Sequence, residues 1–244
     1  MKRFSLLLLL GFSAVACQKS TPSPASPQEV EDADWIKLEI PTKFSGDEAY
    51  SVIGDIDKTM LVSTKAQVYS SSDRGKTWQE SRYFASAVYG LLQRNDTIFA
   101  LSSYATDGQG QKTATIAEYF TVDFGKTWTY VSLLPNGYYR ERKLTQIFGK
   151  VEVAGVTYRT QENTEPIANS TSRLVVASDL FRTDGTGQTT MRLPARHYLK
   201  GLHVDAQQRL YVTASGLRFD ANGKAIDPTV GRPAVLYVSR RPRP

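Results

Sequence analysis

The octet Ser71-Ser72-Asp73-Arg74-Gly75-Lys76-Thr77-Trp78 returns fifty positions later as Thr121-Val122-Asp123-Phe124-Gly125-Lys126-Thr127-Trp128 (123 − 73 = 50), so one S/T-x-D-x-G-x-T-W unit occurs twice. Self-similarity at such a spacing marks an array of small units that bury their apolar faces on one another. The residue types suit a tight turn between two strands. Asp73 can accept backbone N–H groups two residues on, Gly75 can take a positive φ, and Trp78 opens the next strand with a large apolar anchor. A unit of this kind fixes a hairpin and performs no reaction. Helical periodicity is nearly absent elsewhere and short β-rich runs recur between turn residues, which predicts an all-β chain.

Both copies resemble the Asp-box (BNR) repeat of sialidases, sortilin-type receptors and related β-propellers. The resemblance implies a propeller in which the box, here Ser71, Asp73, Gly75, Thr77 and Trp78 with Thr121, Asp123, Gly125, Thr127 and Trp128, lies on the blade periphery, away from the ligand site. With the box as the turn before each outermost strand, the runs align as 50–54, 59–63, 68–71 and 77–83, then 88–92, 97–102, 115–121 and 127–133. A third unit reads 144–148, 151–158, 173–178 and 189–193, and its turn from Thr183 to Thr190 looks like a box with one inserted residue and no Trp. A fourth supplies 199–204, 209–214 and 235–239 and then lacks an outermost strand. The segment Trp35-Ile36-Lys37-Leu38-Glu39-Ile40 has the look of that missing strand, with a leading Trp and alternating apolar residues. Closing a ring in this way hides two sheet edges that would otherwise template aggregation. The expectation is an all-β, four-bladed β-propeller closed by the N-terminal strand, with five small blades or a partial propeller as alternatives. Long connections are expected at 104–114, 159–172 and 216–234.

The first residues read as an export signal: Lys2 and Arg3, then an apolar run from Phe4 to Phe12, then Ala14-Val15-Ala16-Cys17. Small residues before the chain's one cysteine resemble the lipobox of bacterial lipoproteins, which implies cleavage and acylation at Cys17. The alternative is an ordinary secretory signal cut after Ala16. Residues 1–16 are thus the expected signal, 17–34 a flexible Pro- and Ser-containing tether behind the lipidated cysteine, and 35–244 the folded domain. Gln18 after the cysteine resembles lipoproteins passed to the outer membrane of a two-membrane envelope. One cysteine excludes a disulfide framework and a thiolate metal site. Removing Lys2 and Arg3 from the formal charge of +6 leaves +4, too modest for nucleic acid to be an expected partner, although the Arg240–Arg243 tail is basic.

In a propeller the ligand face is built by connections from one blade's outer strand to the next blade's inner strand, here 43–47, 84–87, 135–142 and 194–200. Tyrosines interleaved with arginines can stack on sugars and pair with carboxylates. Tyr138, Tyr139, Arg140, Arg142, Arg196, His197 and Tyr198 are the candidate binding cluster. Sialidases grip a carboxylate with three arginines and carry an Arg-Ile-Pro-type motif early in the domain; the nearest string here, Met191-Arg192-Leu193-Pro194, comes late on an expected outermost strand. His197 and His203, the two histidines, have no spacing partner for a metal, and no nucleotide-binding or nucleophile-elbow motif is present, so neither metal nor cofactor is expected. The reading is a membrane-anchored, non-catalytic propeller lipoprotein of the cell envelope with a face for a protein or glycan partner. A glycoside hydrolase or lyase of the envelope and an assembly factor for membrane complexes are the alternatives.

Overall fold

The computed structural model describes residues 32–42, 48–136, 140–226 and 231–243. The expected signal, Cys17, most of the tether, Tyr138 and Tyr139 lie outside them. After β1 (Trp35–Ile40) come β2 (Ser51–Gly54), β3 (Met60–Ser63), β4 (Gln67–Ser71) and β5 (Gln79–Tyr83), which form one antiparallel sheet in that order. The second sheet holds β6 (Gly90–Arg94), β7 (Thr97–Thr106) and β8 (Lys112–Thr121), with both β9 (Thr129–Tyr130) and β10 (Thr145–Ile147) on the outer edge of β8. The third runs β11 (Lys150–Val153), β12 (Val156–Pro166), β13 (Arg173–Asp184) and β14 (Gly187–Met191). The fourth comprises β15 (Arg196–Val204), β16 (Leu210–Phe219), with β17 (Ala225–Ile226) beside it, and β18 (Ala234–Ser239), and its outermost strand is β1. Four small antiparallel sheets in a ring make a four-bladed β-propeller.

The ring is closed as the sequence predicts: β1 pairs antiparallel with β18 from Trp35 opposite Ser239 to Ile40 opposite Ala234. Sheets hold together because both faces of a blade are apolar and each face packs on the next blade. Leu38 and Ile40 of the fourth sheet share a buried cluster with Val52, Met60 and Val62 of the first. Ile53, Leu61 and Val68 of the first share another with Leu91, Ile98 and Ala100 of the second. Trp35, Leu199 and Tyr237 of the fourth pack with Val156, Tyr158 and Leu180 of the third.

The two repeated octets form the same turn, and its wiring differs from the expected one. The carboxylate accepts from the residue four positions on: Thr77 N–H and Oγ1–H donate to Asp73 at 2.9 and 2.6 Å, and Thr127 does the same to Asp123 at 2.9 and 2.6 Å. The reason is a pair of consecutive left-handed residues, Arg74 (φ 66°) with Gly75 (77°) and Phe124 (56°) with Gly125 (81°), which curl the loop back around the carboxylate. Ser71 and Thr121 complete it, each accepting the glycine N–H at 2.9 Å. The glycines are also demanded by packing: a Cβ on Gly75 would stand 2.6 Å from Leu38 Cδ1, and one on Gly125 would stand 2.9 Å from Leu61 Cδ2. Each turn is therefore seated on the neighbouring blade. Trp128 Nε1–H reaches back likewise to Ser81 Oγ (2.8 Å), and Trp35 Nε1–H to the carbonyl of Arg192 (3.1 Å).

The Thr127 hydroxyl, then its backbone N–H, hold the Asp123 carboxyl down to about 2. Asp123→Ala is expected to lower the melting temperature by about 2–4 °C, the shift that losing roughly one net hydrogen bond gives a domain of this size. An unchanged melting curve would show that the turn is held by its neighbours alone.

The third unit departs from expectation. Its inner strand is Lys150–Val153, joined to β12 by the two-residue turn Ala154-Gly155 at φ 49° and 78°, while 145–147 adds to the second sheet, Thr145 opposite Thr115. Alanine seldom accepts left-handed backbone, so the sequence hides the turn. The 183–190 segment is a tight hairpin with Asp184 opposite Gly187, its carboxylate accepting from Thr186 two residues on rather than four. The long connections at 104–114 and 159–172 are largely strand, since β7–β8 and β12–β13 continue as paired hairpins to Thr106–Lys112 and Pro166–Arg173. Their polar residues gave no alternation signal, but main-chain pairing does not need one.

Candidate functional site

Each innermost strand carries a similar pair, Tyr50-Ser51, Tyr89-Gly90 and Phe148-Gly149 at the starts of β2, β6 and β11 and Lys200-Gly201 within β15. The small residues let the strands converge on the axis. A Cβ on Gly201 would stand 2.2 Å from the Tyr50 carbonyl oxygen, one on Gly149 3.0 Å from that of Lys200, and Ser51 Oγ accepts the Leu91 N–H at 3.1 Å. One residue earlier, each strand carries a large side chain, and Tyr50, Tyr89, Phe148 and Lys200 line a cavity of about 140 Å³ together with Tyr104, Lys112 and Tyr198.

Three of its tyrosines interlock edge to face, Tyr50 on Tyr89 at 5.1 Å and Tyr89 on Tyr104 at 4.8 Å between ring centres. The polar groups form two matching sets. Glu48 accepts from the Tyr50 hydroxyl at 2.8 Å and pairs with Lys200 Nζ at 3.0 Å. Glu162 accepts from the Tyr198 hydroxyl and pairs with Lys112 Nζ at 2.7 Å. Lys200 Nζ also stands 3.5 Å from the centre of the Tyr198 ring, tying the sets together. Burial pulls the Lys200 ammonium below its ordinary value, and Glu48 opposes the pull. Burial, then the hydrogen bond to Glu162, pushes the Tyr198 phenol well above its ordinary range, so it stays a neutral donor. Burial raises Glu162, but hydrogen bonds from Lys112 and Tyr198 and the two lysine charges outweigh it and the carboxyl sits low. Two lysines balance two glutamates in a neutral site rich in hydrogen-bonding groups.

Of the described members of the expected cluster, Tyr198 alone lines this cavity. Residues 196–200 belong to a strand, not a loop, so His197 faces away from Tyr198, and the strand's register shifts between His197 and Leu202. Arg196 turns outward and donates to the carbonyls of Asp220 and Ala221 at 3.0 and 2.8 Å. His197 is 1% exposed inside the fourth blade. Its Nδ1 lies 2.9 and 3.0 Å from the carbonyls of Ser215 and Leu217, and its Nε2 lies 3.0 Å from the Tyr237 hydroxyl. The network assigns the proton to Nδ1. Arg140 pairs with Glu141 at 2.5 Å beside the exposed Arg142 in a 3₁₀ turn at 141–143.

Burial lowers His197 from 6.5 to about 4 in the fold. The unfolded chain therefore takes up the proton first, so this group's share of stability is whole above pH 6.5 and is lost as pH falls towards about 4. His197→Gln is expected to flatten the stability profile across that window in urea titrations; an unchanged slope would mean that His197 is not the group responsible.

A larger cavity, about 780 Å³, opens between Gly54, His203 and both octet turns. Its histidine and acids are committed to structure: His203 Nε2 lies 3.0 Å from the Gly54 carbonyl, Asp55 and Asp205 hold Arg209, and Asp123 holds its turn. Among the described residues no group of three or more His, Cys, Asp or Glu is placed to hold a metal ion.

The axial residues were missed because 135–142 and 194–200 are the aromatic- and arginine-rich stretches, whereas Tyr50, Tyr89, Phe148 and Lys200 stand singly. The available signal was a bulky residue followed by Ser or Gly in every innermost strand or just before it.

No family model and no curated protein matches the chain. Among solved structures it is similar to native arabinanase from Bacillus subtilis, with 12% identity over 74% of this chain and 68% of that one and a TM-score of 0.24. It is also similar to the extracellular domain of a hybrid two-component system from B. thetaiotaomicron, with 13% identity, 78% of this chain, 30% of that one and a TM-score of 0.24. At this level neither likeness bears on the chemistry of the site.

Proposed function

We propose that the chain is a non-catalytic binding propeller of the cell envelope, anchored through a lipid on Cys17, whose axial tyrosine cavity captures a saccharide unit. The observation that carries this reading is one small cavity lined by four tyrosines, a phenylalanine and two lysines, each lysine paired with a glutamate just outside the lining. Sugar C–H faces stack on tyrosine rings, and their hydroxyls donate to carboxylates and accept from ammonium groups, so this lining suits a polyhydroxylated ring. The convergence of Glu48 and Glu162 on Lys200 and Tyr198 favours a second, hydrolytic reading. Hydrolysis needs one carboxyl held protonated as general acid, and the hydrogen bonds and lysine charges on Glu162 hold that carboxyl low instead.

A glycan array probed with the full-length chain, alongside reporter glycosides, tests both. Tyr104 is half exposed, so Tyr104→Ala is expected to weaken glycan capture about fivefold to tenfold with little change in melting temperature. Turnover that vanishes in Glu48→Gln or Glu162→Gln would replace binding by hydrolysis. Cys17→Ser is expected to release the protein from the membrane fraction.

A further inference from the structure

A polar groove of about 430 Å³ opens between the second and third blades and shares Lys112, Phe148 and Tyr198 with the axial cavity. The two adjoin across these three side chains, so a ligand longer than one ring can reach from the axis into this groove. Its charge differs from that of the centre. Lys112, Lys150 and Arg159 line it against one carboxylate, Glu162. Lys112 is taken up by Glu162 at 2.7 Å, and Lys150 pairs with the exposed Glu152 at 2.8 Å. Arg159 is held by neutral groups: the side-chain oxygens of Gln161 and Gln188 at 3.2 and 3.1 Å, and the face of Phe181 at 4.8 Å. Among the described residues no carboxylate matches its charge. The two glutamines and the ring fix the guanidinium plane and leave donors over, an arrangement pre-set for a planar oxyanion.

We propose that this groove is a second subsite that takes the carboxylate of an acidic sugar, a uronate, lying next to the unit in the tyrosine cavity. The inference rests on the saccharide reading of the axial site and adds the class of saccharide. Arg159 sets the preference.

The test is an array of oligouronates paired with their carboxyl-reduced, neutral counterparts, probed with the full-length chain at low salt. The expected result is that at least one uronate binds about tenfold or more tightly than its reduced partner. Arg159→Gln then erases the difference while leaving the reduced glycan's affinity unchanged, and Arg159→Lys keeps part of it. If acidic and reduced forms bind alike, and Tyr104→Ala weakens both, the uronate subsite is overturned while the saccharide reading stands. If uronates are preferred but Arg159→Gln leaves the preference intact, the groove is not its source and the proposal is likewise overturned. If no glycan of either kind binds, the saccharide reading itself falls and takes this one with it.

Discussion

A chain lacking residues 35–40 is expected to show no cooperative unfolding transition and to elute as aggregate. The segment is short, but three of its six side chains, Trp35, Leu38 and Ile40, are buried at 3%, 9% and 0% exposure. At roughly 1.5–3 kcal/mol for each buried side chain, their loss consumes most of the ~5–15 kcal/mol by which an ordinary domain is stable. The deletion also bares the whole edge of β18, an apolar strand running Ala-Val-Leu-Tyr-Val-Ser, and leaves Gly75 without the Leu38 side chain against which its turn is seated. An open edge of that composition invites pairing with another chain. A peptide spanning 32–42, added in trans, should recover part of the folded signal. A truncated protein that melts sharply near the full-length midpoint would sink this account of ring closure.

Arg209→Met is expected to cost about 3–5 kcal/mol in chemical denaturation. Arg209 stands where the lower ends of the first and fourth blades meet. It donates to Asp205 at 2.7 Å within its own hairpin, and to Asp55 and Asp57, both at 2.6 Å, in the β2–β3 turn of the neighbouring blade. Tyr211 joins the same network, donating to Asp205 at 2.7 Å and accepting the Ile56 N–H at 2.9 Å. Burial disfavours the guanidinium charge, but Asp57 and Asp205 outweigh it and keep it firmly protonated. With the cation gone, Asp205, whose side chain is 1% exposed, and Asp55 at 11% are left as buried carboxylates without a counter-charge. The penalty therefore lies in the orphaned acids, and Arg209→Met combined with Asp205→Asn should be less damaging than Arg209→Met alone. A loss below ~1 kcal/mol, the range of exposed ion pairs, would show that the network is peripheral.

Much of the fold could be read from the residues because propeller blades obey local rules. The octets mark the third-to-fourth strand turns, and the alternation in Trp35–Ile40 marks an outermost strand; neither needs knowledge of what lies across the ring. The errors fall where backbone geometry is not written in residue type. Ala154 adopts a left-handed conformation that alanine avoids, so one expected strand is two. The site was less legible for a related reason. Tyr50, Tyr89, Phe148 and Lys200 come from four blades and meet because Ser51, Gly90, Gly149 and Gly201 let four strands crowd one axis, a fact of assembly rather than of any single segment. His197 shows the converse, since it was grouped with Tyr198, from which strand alternation sends it apart.

Pairing Trp35 with Ser239 joins positions 204 residues apart (239 − 35 = 204). Nearly the whole domain must therefore be available before the first strand can find its partner, and until β18 docks, β1 has no strand to pair with. Loop closure over such a separation is slow. The separation thus makes closure of the fourth blade the expected slow step of folding.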